Sequence, residues 1–86
     1  MTYLSHTVRS LRRDPIPGET VRLVLSVAED ASAETVAASV ESLDGELVRE
    51  LQFDRLLVEV EQSDIDAVCS LDAVTRVETD AVLGPT

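Results

Sequence analysis

The chain has 86 residues, which fits one small domain that buries only about 60–65% of its unfolded surface. Hydrophobic residues make up 44%, enough for a packed core, and the 2% of aromatic residues leaves that core to Val, Leu, Ala and Ile. No apolar run approaches the ~20 residues of a membrane span, and no secretion signal is recognised. The single cysteine, Cys69, excludes disulfides within the chain and zinc clusters. We therefore expect a cytoplasmic protein with no membrane partner.

The charge balance is strongly acidic. There are 17 acidic residues against 7 basic ones, a net charge of −10, and every basic residue is Arg. An acidic surface without Lys resembles that of proteins from salt-loving archaea; the alternative is an ordinary acidic mesophile domain. The charge opposes nucleic acid as a partner. The basic cluster of Arg9, Arg12 and Arg13 is expected to pair with the acidic body or to solubilise the segment that carries it.

The first third of the chain predicts an arm followed by a strand. Residues 1–19 are predicted to form an N-terminal arm that could hold a short strand before a turn at residues 14–18. Alternation over Thr20–Val27 predicts a strand with one clearly apolar face. Val24 interrupts the polar side of this strand, so its second face could also meet apolar groups.

A helix follows over roughly Ala33–Leu43, with apolar residues at helical spacing. Asp30 to Ser32 supply N-cap candidates, and Glu34 is favourable in the first turn. Gly45 follows the last periodic residue and predicts a left-handed C-cap.

The second half predicts a hairpin, a short helix and a last strand. Residues 46–51 and 56–60 are predicted strands, joined at residues 53–55. Ser63 is a predicted N-cap for a short helix. Residues 73–79 predict a strand, and residues 81–86 an extended tail because Gly84 and Pro85 block regular structure.

This order of elements predicts an α+β fold. Two βαβ halves with right-handed crossovers give a ferredoxin-like βαββαβ sandwich, a four-stranded antiparallel sheet with two helices on one face. The predicted domain covers residues 20–80. Its other sheet face is left open and is expected to take a partner, a ligand or a second copy.

Residues that could support catalysis are few. His6 has no assignable partner, Cys69 lies on the apolar stripe of the short helix, and Asp64 and Asp66 are explained by helix capping. No calcium loop or Gly-rich phosphate loop is present. We expect no enzyme, no catalytic residue, no cofactor and no metal site.

The segment Val77-Glu78-Thr79-Asp80, followed by a six-residue tail, carries a resemblance. Together with the order of elements over residues 20–86, it resembles the propeptide domains of subtilisin-like serine proteases and the related stand-alone inhibitors. The resemblance implies that the open sheet face packs on two surface helices of the protease. It also implies that Glu78 and Asp80 cap the N-termini of those helices.

The same resemblance implies that the chain end runs into the active-site cleft. Leu83 would fill the hydrophobic fourth pocket and Thr86 would lie at the primary specificity pocket. Pro85 would restrict the conformations of the tail. The implied protease-binding residues are Glu78, Asp80, Val82, Leu83, Gly84, Pro85 and Thr86. Because no catalytic domain follows, we expect action in trans, as inhibitor or folding helper, by a monomer or weak homodimer.

Two other interpretations stay open. The chain could be a small-molecule-binding regulatory module or homodimer of the same fold, with effectors at the interface between two sheets. It could also be a partner-binding domain of another kind, in which Glu78 and Asp80 are solvated charges.

Overall fold

A mixed α+β layer structure is seen in the computed structural model, which describes residues 2–79. Within that range, a five-stranded sheet is covered on one face by three α-helices. In chain order the elements are β1 (Tyr3–Leu4), α1 (His6–Arg13), β2 (Thr20–Val27), α2 (Ala33–Ser42), β3 (Glu46–Leu51), β4 (Arg55–Glu61), a 3₁₀ turn (Gln62–Asp64), α3 (Ile65–Cys69) and β5 (Val74–Thr79). None of these helices is long and apolar enough to cross a membrane.

The sheet has the strand order β1-β5-β2-β4-β3. β2, β3, β4 and β5 pair antiparallel, whereas β1 pairs parallel to β5. The prediction of four antiparallel strands is therefore wrong. The N-terminal segment adds a fifth strand because the backbone of β5 has a free edge there. The Ser5 amide donates to the Val77 carbonyl (3.1 Å), and the Thr2 hydroxyl donates to the Val74 carbonyl (3.0 Å).

The segment predicted as an N-terminal arm contains a helix that the sequence analysis did not predict. Ser5 caps α1 by accepting a hydrogen bond from the Val8 amide at 3.3 Å. Val8 is 0% exposed and belongs to the main core. The following loop is held as well, because the Ile16 amide donates to Oε1 of Gln62 at 2.9 Å. Residues 2–16 are thus attached to the rest of the domain by these hydrogen bonds and by the buried Val8.

The core lies between the helices and one face of the sheet. The alternation in β2 and β4 is confirmed, since Leu23, Leu25, Leu56, Val58 and Val60 are all buried there. The helices supply the other side of the core: Val8 from α1, Val36 and Val40 from α2, Ile65 and Val68 from α3. The core holds only aliphatic side chains, as the composition predicts.

The two ends of α2 test the capping predictions. The Ser32 N-cap is confirmed, because its hydroxyl accepts from the Glu34 amide at 3.1 Å. The left-handed C-cap at Gly45 is wrong: the positive φ of 65° belongs to Asp44. Gly45 has a different constraint. A Cβ atom at this position would lie 2.7 Å from methyl groups of Val40 and Val60.

The second half follows the predicted order with two local differences. Ser63 lies inside the 3₁₀ turn and not at an N-cap, and α3 begins after Asp64, whose side chain makes no capping hydrogen bond. The β3–β4 hairpin turns through Phe53 and Asp54, both with positive φ (61° and 55°). This reversal leaves the Phe53 ring 82% exposed at the hairpin tip.

Candidate functional site

The sheet face opposite the core is the surface available for function, and we call it the open face. Because side chains alternate along a strand, its residues are those between the buried positions of each strand. Strand register arranges them in four rows across the sheet. Row A holds Tyr3, Arg76, Ser26, Arg55 and Leu51; row B holds Glu78, Val24, Leu57 and Arg49; row C holds Arg22, Glu59 and Glu46; row D holds Thr20 and Glu61.

The centre of the open face is apolar. Leu57 is only 7% exposed, although it lies outside the main core cluster on the other side of the sheet. Its neighbour in register on β2 is Val24, which is partly buried. The expectation that Val24 lies in apolar surroundings is confirmed in this sense. A small apolar centre surrounded by charged groups is the usual build of a protein contact surface.

Charges on the open face are unevenly distributed along the strands. Row A contains Arg55 and Arg76 and no carboxylate, whereas row C contains Glu46 and Glu59 with one arginine, Arg22. Arg22 and Glu59 form an ion pair with 3.5 Å between Nε and Oε1. One end of the face is therefore basic and the other end acidic.

Both aromatic residues of the chain contact an arginine of row A. The guanidinium carbon of Arg76 lies 4.8 Å from the ring centroid of Tyr3, and that of Arg55 lies 5.9 Å from the ring centroid of Phe53. These distances are within the range of cation–π attraction. Arg55 is further fixed by its Nε, which donates to the Gln52 carbonyl at 3.1 Å.

Glu78 is the one predicted protease-binding residue within the described part of the chain. It is partly buried on β5 and pairs in register with Val24, which puts it on the open face beside the apolar centre. Thr79 pairs with Leu23 and so faces the opposite side. The other predicted residues, Asp80, Val82, Leu83, Gly84, Pro85 and Thr86, lie outside the described residues.

Comparison with known families assigns the chain to one of them. The family described as "Putative peptidase inhibitor domain" matches residues 3–80. The chain belongs to this family. Searches of curated proteins and of solved structures gave no match.

Membership in the peptidase inhibitor domain family suggests a non-enzymatic protein whose partner is a peptidase. The match begins at residue 3, so it includes β1 and α1. The N-terminal segment that the sequence analysis set apart is thus part of the family domain. The open face, β5 and the edge strand β1 all lie within the matched range.

Neither Cys69 nor His6 lies in surroundings that would make it reactive. Cys69 is partly buried near the end of α3, and this burial raises the pKa of its thiol, with Asp66 acting in the same direction and Arg12 against it. A raised pKa keeps the thiol protonated and poorly nucleophilic at neutral pH. His6 is an exposed residue at the start of α1. Residues 2–79 contain neither a detectable pocket nor a cluster of three metal-ligating side chains.

Sequence reasoning did not assign the arginine and aromatic residues of row A. A partial signal was present, because Arg76 directly precedes Val77, an apolar residue of the last predicted strand. The row itself depends on register, and register shifts occur in β2 after Ser26 and in β3 around Val48. Such bulges change which side chains become neighbours, and alternation alone does not reveal them.

Proposed function

We propose that this peptidase inhibitor domain binds a subtilisin-like serine protease in trans, as an inhibitor or folding helper. In this proposal the open face docks on the protease and the chain end enters the active-site cleft. The observation that carries it is the position of Glu78: it lies on the open face near the end of the last strand of a chain from a peptidase inhibitor family.

The arrangement of the strands supports the same proposal. Without β1, the order is β5-β2-β4-β3 with all pairs antiparallel, and α2 and α3 lie on the core side. We infer that residues 20–79 form a ferredoxin-like sandwich to which β1 and α1 are added. Subtilisin propeptide domains, which this sequence resembles, use that architecture. Its open face leaves the sheet free for a partner.

The chemistry of Glu78 fits the proposed contact. The first backbone amides of a helix lack intrahelical partners, and that end of the helix carries a partial positive charge. A carboxylate placed there accepts charge-assisted hydrogen bonds. Glu78 is already partly buried beside Val24, so docking would bury its carboxylate against such a terminus at little further ordering cost. We assign the same role to Asp80.

The tail would block the cleft by pairing as an extended strand with the protease. Main-chain hydrogen bonds of such a strand give affinity, and side-chain pockets give specificity. We propose that Leu83 fills the fourth pocket and that Thr86 ends the chain at the primary pocket. Docking by the sheet and blocking by the tail are then separable functions.

The test is a titration of a subtilisin-like protease with the full chain in molar salt, which should give competitive inhibition. Deleting residues 82–86 should abolish competition with substrate while sheet docking remains measurable by direct binding. The double change Glu78→Gln with Asp80→Asn should weaken binding by ~1–2 kcal/mol per lost charge-assisted contact and leave the fold intact.

The matched control is Glu41→Gln with Asp44→Asn, which removes two carboxylates that are exposed at the helix side. This variant should inhibit as well as the natural chain. If the tail-deleted protein inhibits equally well, or the full chain inhibits no subtilisin-like protease, the proposal is wrong. A stable dimer found in sedimentation would then favour the alternative, in which Val24 and Leu57 meet a second sheet.

A further inference from the structure

The basic end of the open face is unusual for so acidic a chain. The protein has a net charge of −10, yet four of its seven arginines, Arg22, Arg49, Arg55 and Arg76, project from the open face. Two of these, Arg55 and Arg76, lie in one row and flank Ser26 in register. With neighbouring strands about 4.8 Å apart, their backbones are only about 10 Å apart across the small serine.

Neither arginine of this pair forms a close ion pair within residues 2–79, although Glu78 lies two residues from Arg76 on the same face. The ion pairs within residues 2–79 involve Arg12 and Arg22, and neither Arg55 nor Arg76 takes part in one. Two arginines about 10 Å apart repel one another less than like charges on adjacent strands. A partner that presents carboxylates would supply the close counter-charges that this pair lacks.

The two aromatic rings prepare these arginines for binding. Tyr3 and Phe53 contact the guanidinium groups by cation–π attraction, although these two residues are 48% and 82% exposed. A guanidinium stacked on a ring keeps its outer N–H groups free, and these donate to carboxylates in a two-pronged geometry. Exposed aromatic and arginine side chains are also the residue types enriched at binding hot spots.

Backbone geometry at the hairpin tip places Phe53 where it contacts Arg55. Phe53 and Asp54 both have left-handed φ, which costs free energy for residues that are not glycine. The strained turn is anchored to the sheet, because the Val27 amide donates to the Asp54 carbonyl at 2.8 Å. The fold therefore maintains an exposed ring beside Arg55 at a cost in stability.

From these observations we propose that the two arginines of row A, Arg55 and Arg76, with the rings of Phe53 and Tyr3 that contact them, are a second anchor of the interface and bind acidic side chains on the surface of the partner peptidase. The inference rests on the proposed function and deepens it. Glu78 meets helix N-termini of the peptidase, and the basic end of the open face meets carboxylates. Because the two ends differ in sign, only one docking direction is favourable.

The experiment compares two double variants that remove the same charge. Arg55→Gln with Arg76→Gln removes the proposed anchor, whereas Arg9→Gln with Arg13→Gln removes two exposed arginines of α1 on the helix side. The inhibition constant of each is measured against the peptidase that the natural chain inhibits, at several potassium chloride concentrations. The anchor variant should be weaker by about 10- to 100-fold, and the control by less than about 2-fold.

Other outcomes separate this inference from the proposed function. If the natural chain inhibits and the anchor variant inhibits equally well, the second anchor is wrong and the proposed function stands. If the natural chain inhibits no subtilisin-like protease, both are wrong. If the anchor variant does not fold, the variant Phe53→Ala provides the test. Phe53 is 82% exposed, so its replacement should weaken inhibition without loss of the fold. Unchanged inhibition by Phe53→Ala would then overturn the anchor.

Discussion

At the scale of single residues, the end of α2 depends on two neighbours with different constraints. Asp44 has a left-handed backbone with φ of 65°, which side chains other than glycine adopt at a cost. Gly45 has no such backbone requirement but lies against the methyl groups of Val40 and Val60. The chain therefore turns at Asp44 and passes closest to the core at Gly45.

Substitutions at these two positions should have different effects. In Gly45→Ala the new Cβ would lie 2.7 Å from two core methyl groups and 3.1 Å from the Val40 carbonyl, so the free energy of unfolding should fall by about 1–3 kcal/mol. Asp44→Gly relieves the left-handed strain but loosens the unfolded chain, so it should stay within about 1 kcal/mol of the natural protein. Thermal unfolding in molar salt measures both. Equal losses in the two variants would contradict the close contact at Gly45.

At the scale of elements, α1 shows what pattern analysis detects and what it misses. The alternating segment Thr20–Val27 gave β2 with the observed bounds, because a half-buried strand repeats its pattern every two residues. The bounds of β3 were also predicted, although its residues do not alternate. The helix α1 also carries a signal, since Val8 and Leu11 follow Ser5 at helical spacing. However, the other residues of α1 are polar or charged, so its apolar pattern is weak. The stability of α1 comes from packing against α3 and β5.

We predict that α1 is required for the stability of the whole domain. Val8→Asp would place an unpaired carboxylate at a position that is 0% exposed, which should cost about 3–5 kcal/mol and abolish cooperative unfolding in a domain of this size. Thr7→Asp is the matched control, because Thr7 is exposed in the first turn of α1, where a negative charge is favourable. Circular dichroism during thermal unfolding compares the two. A cooperatively folded Val8→Asp variant would show that the stability of the domain does not depend on α1.

At the scale of the whole molecule, charge is separated between the two sides of the sheet. The open face carries four arginines and the four glutamates Glu46, Glu59, Glu61 and Glu78, so it is balanced. The other described residues include 12 carboxylates and the three arginines of α1, so nearly all of the net negative charge lies away from the open face. Composition predicts the total charge of the molecule but not this separation, because strand register and bulges determine which residues share a face.

We propose that the chain is adapted to concentrated salt and predict that salt stabilises the fold through the helix side. At 0.1 M salt the Debye length is about 10 Å and the carboxylates repel one another, whereas at 1 M it is about 3 Å and the repulsion is screened. The midpoint of thermal unfolding should therefore rise steadily from dilute buffer to molar potassium chloride. Glu34→Gln with Glu41→Gln removes two exposed carboxylates of α2 and should flatten this dependence. The control Arg9→Gln with Arg13→Gln should steepen it, because it removes cations from the same side. A full thermal transition in salt-free buffer, unchanged by added salt, would show that repulsion among these carboxylates does not limit stability.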